Sequence, residues 1–146
     1  IEIGALKIEN NTVTEEFSCL VESENRLDEK IVSLTGITDK LIKENGISEN
    51  EAIKKLAVFI NGETVIGYNI KFDIAFLESS ADRVGVGLGI KKTKDLLGMV
   101  RKKVDGIVNY KLTSVAEYFS IDKCGMHRAL KDCYVMYEIY NKLNKK

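Results

Sequence analysis

The sequence predicts a single α/β domain built on a mixed sheet. Two segments near its start, Ile1–Ile8 and Val13–Val21, have apolar side chains at nearly alternate positions, and the polar turn Glu9–Thr12 separates them. Such alternation indicates half-buried strands, so the two segments predict a β-hairpin. Helical patterns and short apolar runs then alternate along the rest of the chain. This order favours a sheet flanked by helices.

The remaining elements have local signals at their ends. Thr38 is placed to cap a short helix, and Ser48-Glu-Asn-Glu51 matches a capping box that opens a longer one. Asn61-Gly62 ends that longer helix. The predicted helices are 28–34, 38–44, 48–60, 70–83, 95–103, 113–119 and 127–143, and the predicted strands after the hairpin are 64–68 and 90–93.

Length and composition exclude several classes of protein. A chain of 146 residues suits one domain, and 45% apolar with 30% charged residues is ordinary globular usage. Lys plus Arg and Asp plus Glu both number 22, so the chain lacks the basic excess of a protein that coats long duplexes. A neutral balance is compatible with an enzyme that holds a few nucleotides at one end.

The cysteines and the lack of membrane signals predict a cytoplasmic protein. Cys19, Cys124 and Cys133 are odd in number and lack metal-type spacing, so we expect reduced thiols rather than disulfides or a zinc site. No apolar run approaches the roughly 18 residues of a membrane span, and no secretory leader opens the sequence. The loop Val84–Gly89 has a G-x-G-x-G pattern. No strong strand precedes it, so a flexible loop is favoured over a phosphate-binding one.

Asp73 is the first candidate for chemistry. It ends the run Gly67–Asp73, where a buried strand leads into a helix, and ligands of open α/β sheets bind at the carboxyl ends of strands. An acid in the first turn of a helix also suits the helix dipole. From position alone, Asp73 is either a helix-capping acid or a catalytic one.

His127 and Asp132 form the second candidate. Five positions separate them, so we expect His127 at the mouth of the last helix and Asp132 one turn inside it. Asp132 lies among apolar residues and needs a partner such as a metal ion, because burying a bare charge is costly. His127 is the only histidine. It is either structural or a general base, since its ordinary pKa of about 6.5 suits neutral pH.

These motifs resemble those of the DEDDh-type, DnaQ-like 3′–5′ exonucleases across nearly the whole chain. The specific part is the combination of N-x-x-F-D at Asn69–Asp73 with H-x-A-x-x-D at His127–Asp132. The family includes proofreading exonuclease subunits and domains of bacterial replicative polymerases, ribonuclease T and oligoribonuclease. The resemblance implies a ribonuclease H-like fold. The other matching segments are Ile1–Ala5, Leu34–Thr38, Tyr110–Leu112 and Ala116–Phe119.

The resemblance also implies a role for each matching residue. Asp73 and Asp132 match two of the four acids that bind metal, and His127 matches the base that deprotonates the attacking water. In the segment that cradles the terminal nucleotide, Ile37 is the expected contact to the base. The residues expected to contact the substrate are Leu34, Thr35, Gly36, Ile37, Asn69 and Phe72.

The implied reaction is hydrolysis of phosphodiester bonds at the 3′ end of DNA or RNA, which releases nucleoside 5′-monophosphates in proofreading or end trimming. Two divalent ions roughly 3.5–4 Å apart would lower the pKa of the water and stabilise the leaving oxygen. Carboxylate oxygens select Mg²⁺ or Mn²⁺. The implied partners are single-stranded 3′ ends and a DNA polymerase subunit, with no membrane.

Three positions depart from the family pattern. The family carries D-x-E on a strand before the hairpin, and no D-x-E occurs here; Glu2 falls at a non-ligand position. We therefore expect residues 1–146 to be one exonuclease domain that is N-terminally incomplete, without the central first strand and with an exposed edge at strand 64–68. Tyr68 replaces a common His, and Thr113 replaces a common Asp helix cap.

Other interpretations stay open. The chain could be a non-catalytic module that binds nucleic acid or a polymerase, or a plain α/β scaffold in which His127 and Asp132 are structural. The choice between DNA and RNA is also open, because the sequence does not reveal the 2′-hydroxyl contact that separates them. Lys71, Lys111 and Lys131 lie beside the motifs and are candidate phosphate contacts, although surface lysines are mostly solvated charges.

Overall fold

Two small sheets and seven helices make up residues 1–144, the part of the chain that the computed structural model describes. The α/β class with helices around the sheets is confirmed. The strands are β1 (Glu2–Glu9), β2 (Thr12–Val21), β3 (Gly46–Ile47), β4 (Thr64–Gly67) and β5 (Lys92–Asp95). The helices are α1 (Glu29–Thr35), α2 (Asp39–Asn45), α3 (Glu49–Ile60), α4 (Ile70–Val84), α5 (Leu96–Lys103), α6 (Leu112–Tyr118) and α7 (Ala129–Asn144).

Strands β1 and β2 form the predicted hairpin, in antiparallel register from Glu2 opposite Leu20. Its turn is Asn10-Asn11, with φ of 50° and 59°. Two consecutive left-handed residues are typical of the type I′ turn, whose twist suits a hairpin. β3 joins β2 in parallel. The sequence does not indicate β3, because a two-residue strand has no periodicity.

Strands β4 and β5 form a separate parallel sheet, with Gly67 opposite Asp95 at its carboxyl end. Within residues 1–144, β1 pairs with β2 alone and β4 pairs with β5 alone, so the expected mixed sheet is divided in two. β5 begins later than the predicted strand 90–93. Ile90 suggested a strand residue, but it packs against the core from the preceding loop, and parallel pairing with β4 sets the register of β5.

Most helix ends follow the predicted caps. Ser48 accepts from the N–H of Glu51 at the start of α3, and Asn61 ends that helix in the left-handed conformation. The prediction that Thr113 caps α6 is wrong. The cap position is Lys111, and Asn109 Oδ1 accepts from the Lys111 N–H and the Ser114 hydroxyl instead.

Two apolar clusters cover the sheets. One joins α5, α6 and α7, and the other joins α3 and α4 with the Gly-rich loop, whose Leu88 is buried. That burial gives the loop a packing role. Cys19, Cys124 and Cys133 are free, as expected. No helix in the described part of the chain is long and apolar enough to cross a membrane.

Helix α7 packs directly on the backbone of β1. A Cβ atom built on Gly4 would lie 2.6 Å from the carbonyl carbon of Ala129 and 2.6 Å from the nitrogen of Leu130. Real side chains do not approach a backbone so closely, and backbone atoms cannot swing aside as a flexible side chain can. The glycine therefore allows the strand and the start of the helix to touch.

Replacing Gly4 by Ala should lower the free energy of unfolding by about 1–3 kcal/mol, because the new methyl group overpacks the β1–α7 contact. The matched control is Gly87→Ala, since nothing lies within 4 Å of a Cβ at Gly87; it should stay within about 0.5 kcal/mol. Urea denaturation measures both. Equal stabilities for the two variants would contradict the close contact.

Candidate active site

The start of α7 brings His127 and Asp132 together. His127 lies outside the helix with φ of 73°, and Asp132 lies in the first helical turn. The backbone N–H of His127 donates to Asp132 Oδ1 at 3.0 Å. The predicted arrangement, with His127 at the mouth of the helix and Asp132 inside it, is confirmed.

Asp73 lies at the other predicted position, in the first turn of α4. The chain turns sharply from β4 into α4 at Asn69, which has φ of 59°. The N–H of Asn69 donates to Asp95 Oδ1 at 2.9 Å, and the same oxygen accepts from the N–H of Leu97 at 3.1 Å. Asp95 therefore fixes the β4–α4 turn to the start of α5.

The negative charges of both acids act on Cys133. The pKa of this thiol is raised to about 12, mainly by burial and in part by the charges of Asp132, Asp73 and Glu2. Acids from three different elements, α7, α4 and β1, therefore lie near enough to Cys133 for their charges to act on its thiol. Cys133 Sγ donates to the Gly4 carbonyl at 3.3 Å. At neutral pH this group is a protonated thiol, which excludes a nucleophilic role.

Asp73 and Asp132 are poorly compensated carboxylates. Burial raises the pKa of both above its usual range. The N–H of His127 opposes this rise at Asp132, and the nearby charge of Glu2 adds to it. Neither acid forms an ion pair within residues 1–144. A divalent cation would offset the charge of both.

The donor set suits part of a hard-metal site. Mg²⁺ is commonly held by one or two carboxylates together with water and substrate phosphate. Among residues 1–144, no three His, Cys, Asp or Glu side chains cluster closely enough to hold an ion. Asp73 and Asp132 could thus supply two oxygen ligands, and the rest of the coordination shell would have to come from other donors.

Glu2 is the third carboxylate, and it is fully engaged. Its side chain is 7% exposed and accepts from Arg128 Nη2 at 2.7 Å and from the Ala129 N–H at 2.7 Å. Burial alone would raise the pKa of Glu2, but the hydrogen bonds and charge of these partners lower it overall. This agrees with its expected place outside the metal ligands.

The segment expected to cradle the nucleotide has one exposed and one buried apolar side chain. Leu34 is 57% exposed, whereas Ile37 is only 5% exposed. Thr35 Oγ1 accepts from the Ile37 N–H, and Gly36 ends α1 with φ of 70°. Ile37 therefore offers little surface to a base, and Leu34 offers more. The assignment of substrate contacts to this segment stays a prediction.

Residues beside the two motifs differ in accessibility. Phe72 is 76% exposed, and Asn69 is also exposed. Of the three candidate phosphate contacts, Lys131 pairs with Asp122 at 3.6 Å, whereas Lys71 and Lys111 are exposed.

Tyr68 links the site to the loop before α6. Its hydroxyl donates to the Tyr110 carbonyl at 2.5 Å, and the Tyr110 hydroxyl donates in turn to the Val104 carbonyl at 2.9 Å. Burial raises the pKa of Tyr68 to about 12, so it is not an acid–base group at neutral pH.

A cleft of about 820 Å³ opens beside α4. Its walls include Ile3, Ile53, Phe76 and the loop 22–26, and neither Asp73 nor Asp132 lines it. Phe76 lies one helical turn after Asp73 on α4, so the two side chains are neighbours on the helix surface. The cleft therefore borders α4 without containing the acids, and their chemistry rather than the size of the cleft marks the candidate site.

Comparison with known proteins decides the family. A family model described as exonuclease, RNase T, matches residues 1–140. The chain belongs to the RNase T exonuclease family. The resemblance to DnaQ-like exonucleases is thereby confirmed.

Two relatives are DNA polymerase III proteins. The chain is 33% identical over 147 residues to DNA polymerase III PolC-type of Caldanaerobacter subterraneus subsp. tengcongensis. The match covers 100% of this chain and only 10% of the relative. It is 30% identical over 143 residues to DNA polymerase III subunit epsilon of Aquifex aeolicus, covering 98% of this chain and 70% of the relative. The chain thus spans about a tenth of the PolC-type relative.

Solved exonucleases share the fold at low sequence identity. E. coli Exonuclease I in complex with a dT13 oligonucleotide superposes with a TM-score of 0.83 at 18% identity, over 99% of this chain and 37% of that one. Exonuclease X in complex with 5′ overhanging duplex DNA superposes with a TM-score of 0.71 at 16% identity, over 97% of this chain and 80% of that one. A zinc-bound form of the E. coli ExoI–ssDNA complex also matches, with a TM-score of 0.77 at 17% identity over 93% of this chain and 34% of that one.

Sequence motifs missed two residues that shape the site, Glu2 and Asp95. Both had a signal: Glu2 is an acid between two isoleucines of a strand, and Asp95 is an acid at the junction of a strand and a helix. Neither signal identifies the partner of the acid. The groups bonded to Glu2 are 126 and 127 positions away in the sequence, and the Asn69 N–H that binds Asp95 is 26 positions away.

The raised pKa of Asp73 predicts a pH effect on stability. The folded protein binds the Asp73 proton more tightly than the unfolded chain, so this acid lowers stability as the pH rises from about its ordinary value of 3.8 through its raised folded-state pKa. Without metal at pH 7, Asp73→Asn should therefore raise Tm, and added Mn²⁺ should stabilise the wild type more than the variant.

The matched control is Asp82→Asn, an acid farther along the same helix that is exposed, as Asp73 is. It should leave both Tm and the response to Mn²⁺ unchanged. If Asp73→Asn behaves like this control in calorimetry, Asp73 is neither a desolvated acid nor a metal ligand.

Proposed function

We propose that this protein is a metal-dependent 3′–5′ exonuclease that hydrolyses the phosphodiester bond at the 3′ end of DNA and releases nucleoside 5′-monophosphates. The observation that carries the proposal is that the charges of Asp73 and Asp132 both act on Cys133 and that Asp132 accepts from the N–H of His127, in a chain of an exonuclease family. Two acids with raised pKa values and no ion pair within residues 1–144, together with an exposed imidazole, are the groups that this hydrolysis needs.

The proposal gives each residue a separate task. Asp73 and Asp132 hold Mg²⁺ or Mn²⁺, in a pair of ions once the other donors are present. When bound, such ions lower the pKa of the attacking water and stabilise the departing 3′ oxygen. His127 is exposed to solvent and takes the proton from that water. Asn69 lies on a turn anchored by Asp95 and contacts the terminal nucleotide.

Two exposed apolar side chains fit a single-stranded end. Phe72 offers an aromatic face on which a base can stack, and Leu34 offers a second apolar surface. The terminal nucleotide is held by 34–37 together with Asn69 and Phe72.

DNA is favoured over RNA as the substrate because the named relatives are DNA polymerase III proteins and the similar exonuclease structures hold DNA. We therefore propose proofreading or end trimming in partnership with a DNA polymerase. The free thiols fit the reducing cytoplasm.

One observation favours a second function. The described residues supply no group of three metal-binding side chains, which is compatible with a catalytically impaired module that keeps the fold and binds nucleic acid or a polymerase. The two candidates differ in one property, since the module would bind a 3′ end without shortening it.

The deciding experiment is degradation of a 5′-labelled single-stranded oligonucleotide by the protein at its full natural length, in Mg²⁺ or Mn²⁺, with DNA and RNA compared. We expect a ladder that shortens from the 3′ end. Asp132→Asn and His127→Ala should each lower kcat by at least about 100-fold, because they remove a metal ligand and the general base.

The control is Glu138→Gln, an exposed acid farther along α7, which should leave the rate unchanged. Binding of the oligonucleotide without degradation would favour the module instead. Equal degradation by the wild type and Asp132→Asn would contradict the proposed site. Faster degradation of RNA than of DNA would contradict the proposed substrate.

A further inference from the structure

His127 has to be fixed by groups outside its own segment. It belongs to neither a helix nor a strand, and its φ of 73° lies in the left-handed region that residues with a side chain rarely adopt. Its N–H donates to Asp132. In the proposed function Asp132 also binds a metal ion, so this bond changes with the state of the metal. A restraint independent of the metal must come from another residue.

Glu2 supplies such a restraint directly after His127. Its carboxylate accepts from the N–H of Ala129 at 2.7 Å and from Nε and Nη2 of Arg128 at 3.1 and 2.7 Å. Charge-assisted, two-pronged contacts of this kind are strong and directional. They hold the two residues that follow His127 in the chain.

The carboxylate is itself immobile. The Glu2 side chain is 7% exposed and belongs to β1, which touches the start of α7 at Gly4. The bonds therefore connect the His127 segment to a strand, not to another loop.

We infer that Glu2 is a positioning residue: through Arg128 and Ala129 it holds His127 in the orientation that lets the imidazole reach the attacking water, whether or not Asp132 carries a metal ion. This inference rests on the proposed function. Glu2 touches neither metal nor substrate in this role. It acts on the base in the way that outer hydrogen bonds orient the ligands of a metal site.

A merely structural role for Glu2 would make a different prediction. A variant would then lose stability, but the molecules that remain folded would turn over at the normal rate. The test must therefore separate kcat from both KM and stability.

The variant is Glu2→Gln, which keeps the size of the side chain and removes its charge. With a 5′-labelled single-stranded DNA and Mn²⁺, well below the unfolding temperature, kcat should fall about 10- to 100-fold and KM should change by less than about twofold. One control is Glu9→Gln, an exposed acid at the end of the same strand. The other is Ile139→Val in the buried core of α7, which costs stability elsewhere. Both controls should keep kcat within about twofold.

A double variant tests the route through Arg128. If Glu2 acts on His127 through this pair, Glu2→Gln with Arg128→Gln should lower kcat little more than Glu2→Gln alone, because both changes break one connection. Multiplied effects would contradict this route.

A readout without metal or substrate completes the test. In the metal-free protein, Glu2→Gln should speed hydrogen exchange at the Ala129 amide at least about tenfold and leave the Val135 amide unchanged. Unchanged exchange at Ala129, or a kcat equal to that of Ile139→Val, would overturn the inference. An inactive wild type would contradict the proposed function and the role of Glu2 in that reaction, while the exchange result would still decide whether Glu2 anchors the segment.

Discussion

The contact between β1 and the start of α7 is the constraint on which the candidate site depends. Gly4 lets the two backbones touch, and Glu2, two residues earlier, binds the first N–H of the helix. Cys133 adds a third link through its bond to the Gly4 carbonyl. Because these bonds fix one end of α7 on the sheet, the side chains of its first turn have a fixed place. His127 and Asp132 take their positions from this contact.

The site also shows how burial divides similar side chains between different tasks. The charges of Glu2, Asp73 and Asp132 all act on Cys133, yet a guanidinium and a backbone N–H satisfy Glu2, and its pKa is lowered. Asp73 and Asp132 form no ion pair within residues 1–144, and their pKa values are raised. A carboxylate that is already paired holds structure, whereas one that is not is available to an external cation. The direction of the pKa shift therefore separates the structural acid from the two candidate ligands.

Local sequence signals predicted most helices and strands, and contacts between distant segments explain the errors. Ser48 could be recognised as a cap because its partner is three residues away. At α6 the cap position is Lys111, whose side chain makes no capping bond, and the prediction of Thr113 failed. β5 was misplaced because pairing with β4, not its own composition, sets its bounds.

The site residues also divide into those that local motifs indicate and those that only long-range contacts reveal. Asp73, His127 and Asp132 could be proposed from two short motifs, and the fold joins His127 to Asp132 through a hydrogen bond. Their roles remain predictions. Glu2 could not be linked to Arg128, because its partner lies 126 residues away and only the folded chain brings them together. The burial of Ile37 was equally out of reach, since burial depends on tertiary packing that no local pattern reveals.

The most direct test of this account is whether the β4–α4 turn and the start of α7 form one metal site. Small amounts of Mn²⁺ broaden the NMR signals of nearby amides, so titration into the metal-free protein locates the ion. The account predicts that amides near Asp73 and amides near Asp132 lose intensity together, at the same Mn²⁺ concentration and before other amides do. Broadening at one segment alone, or spread over exposed acids elsewhere, would contradict a shared site.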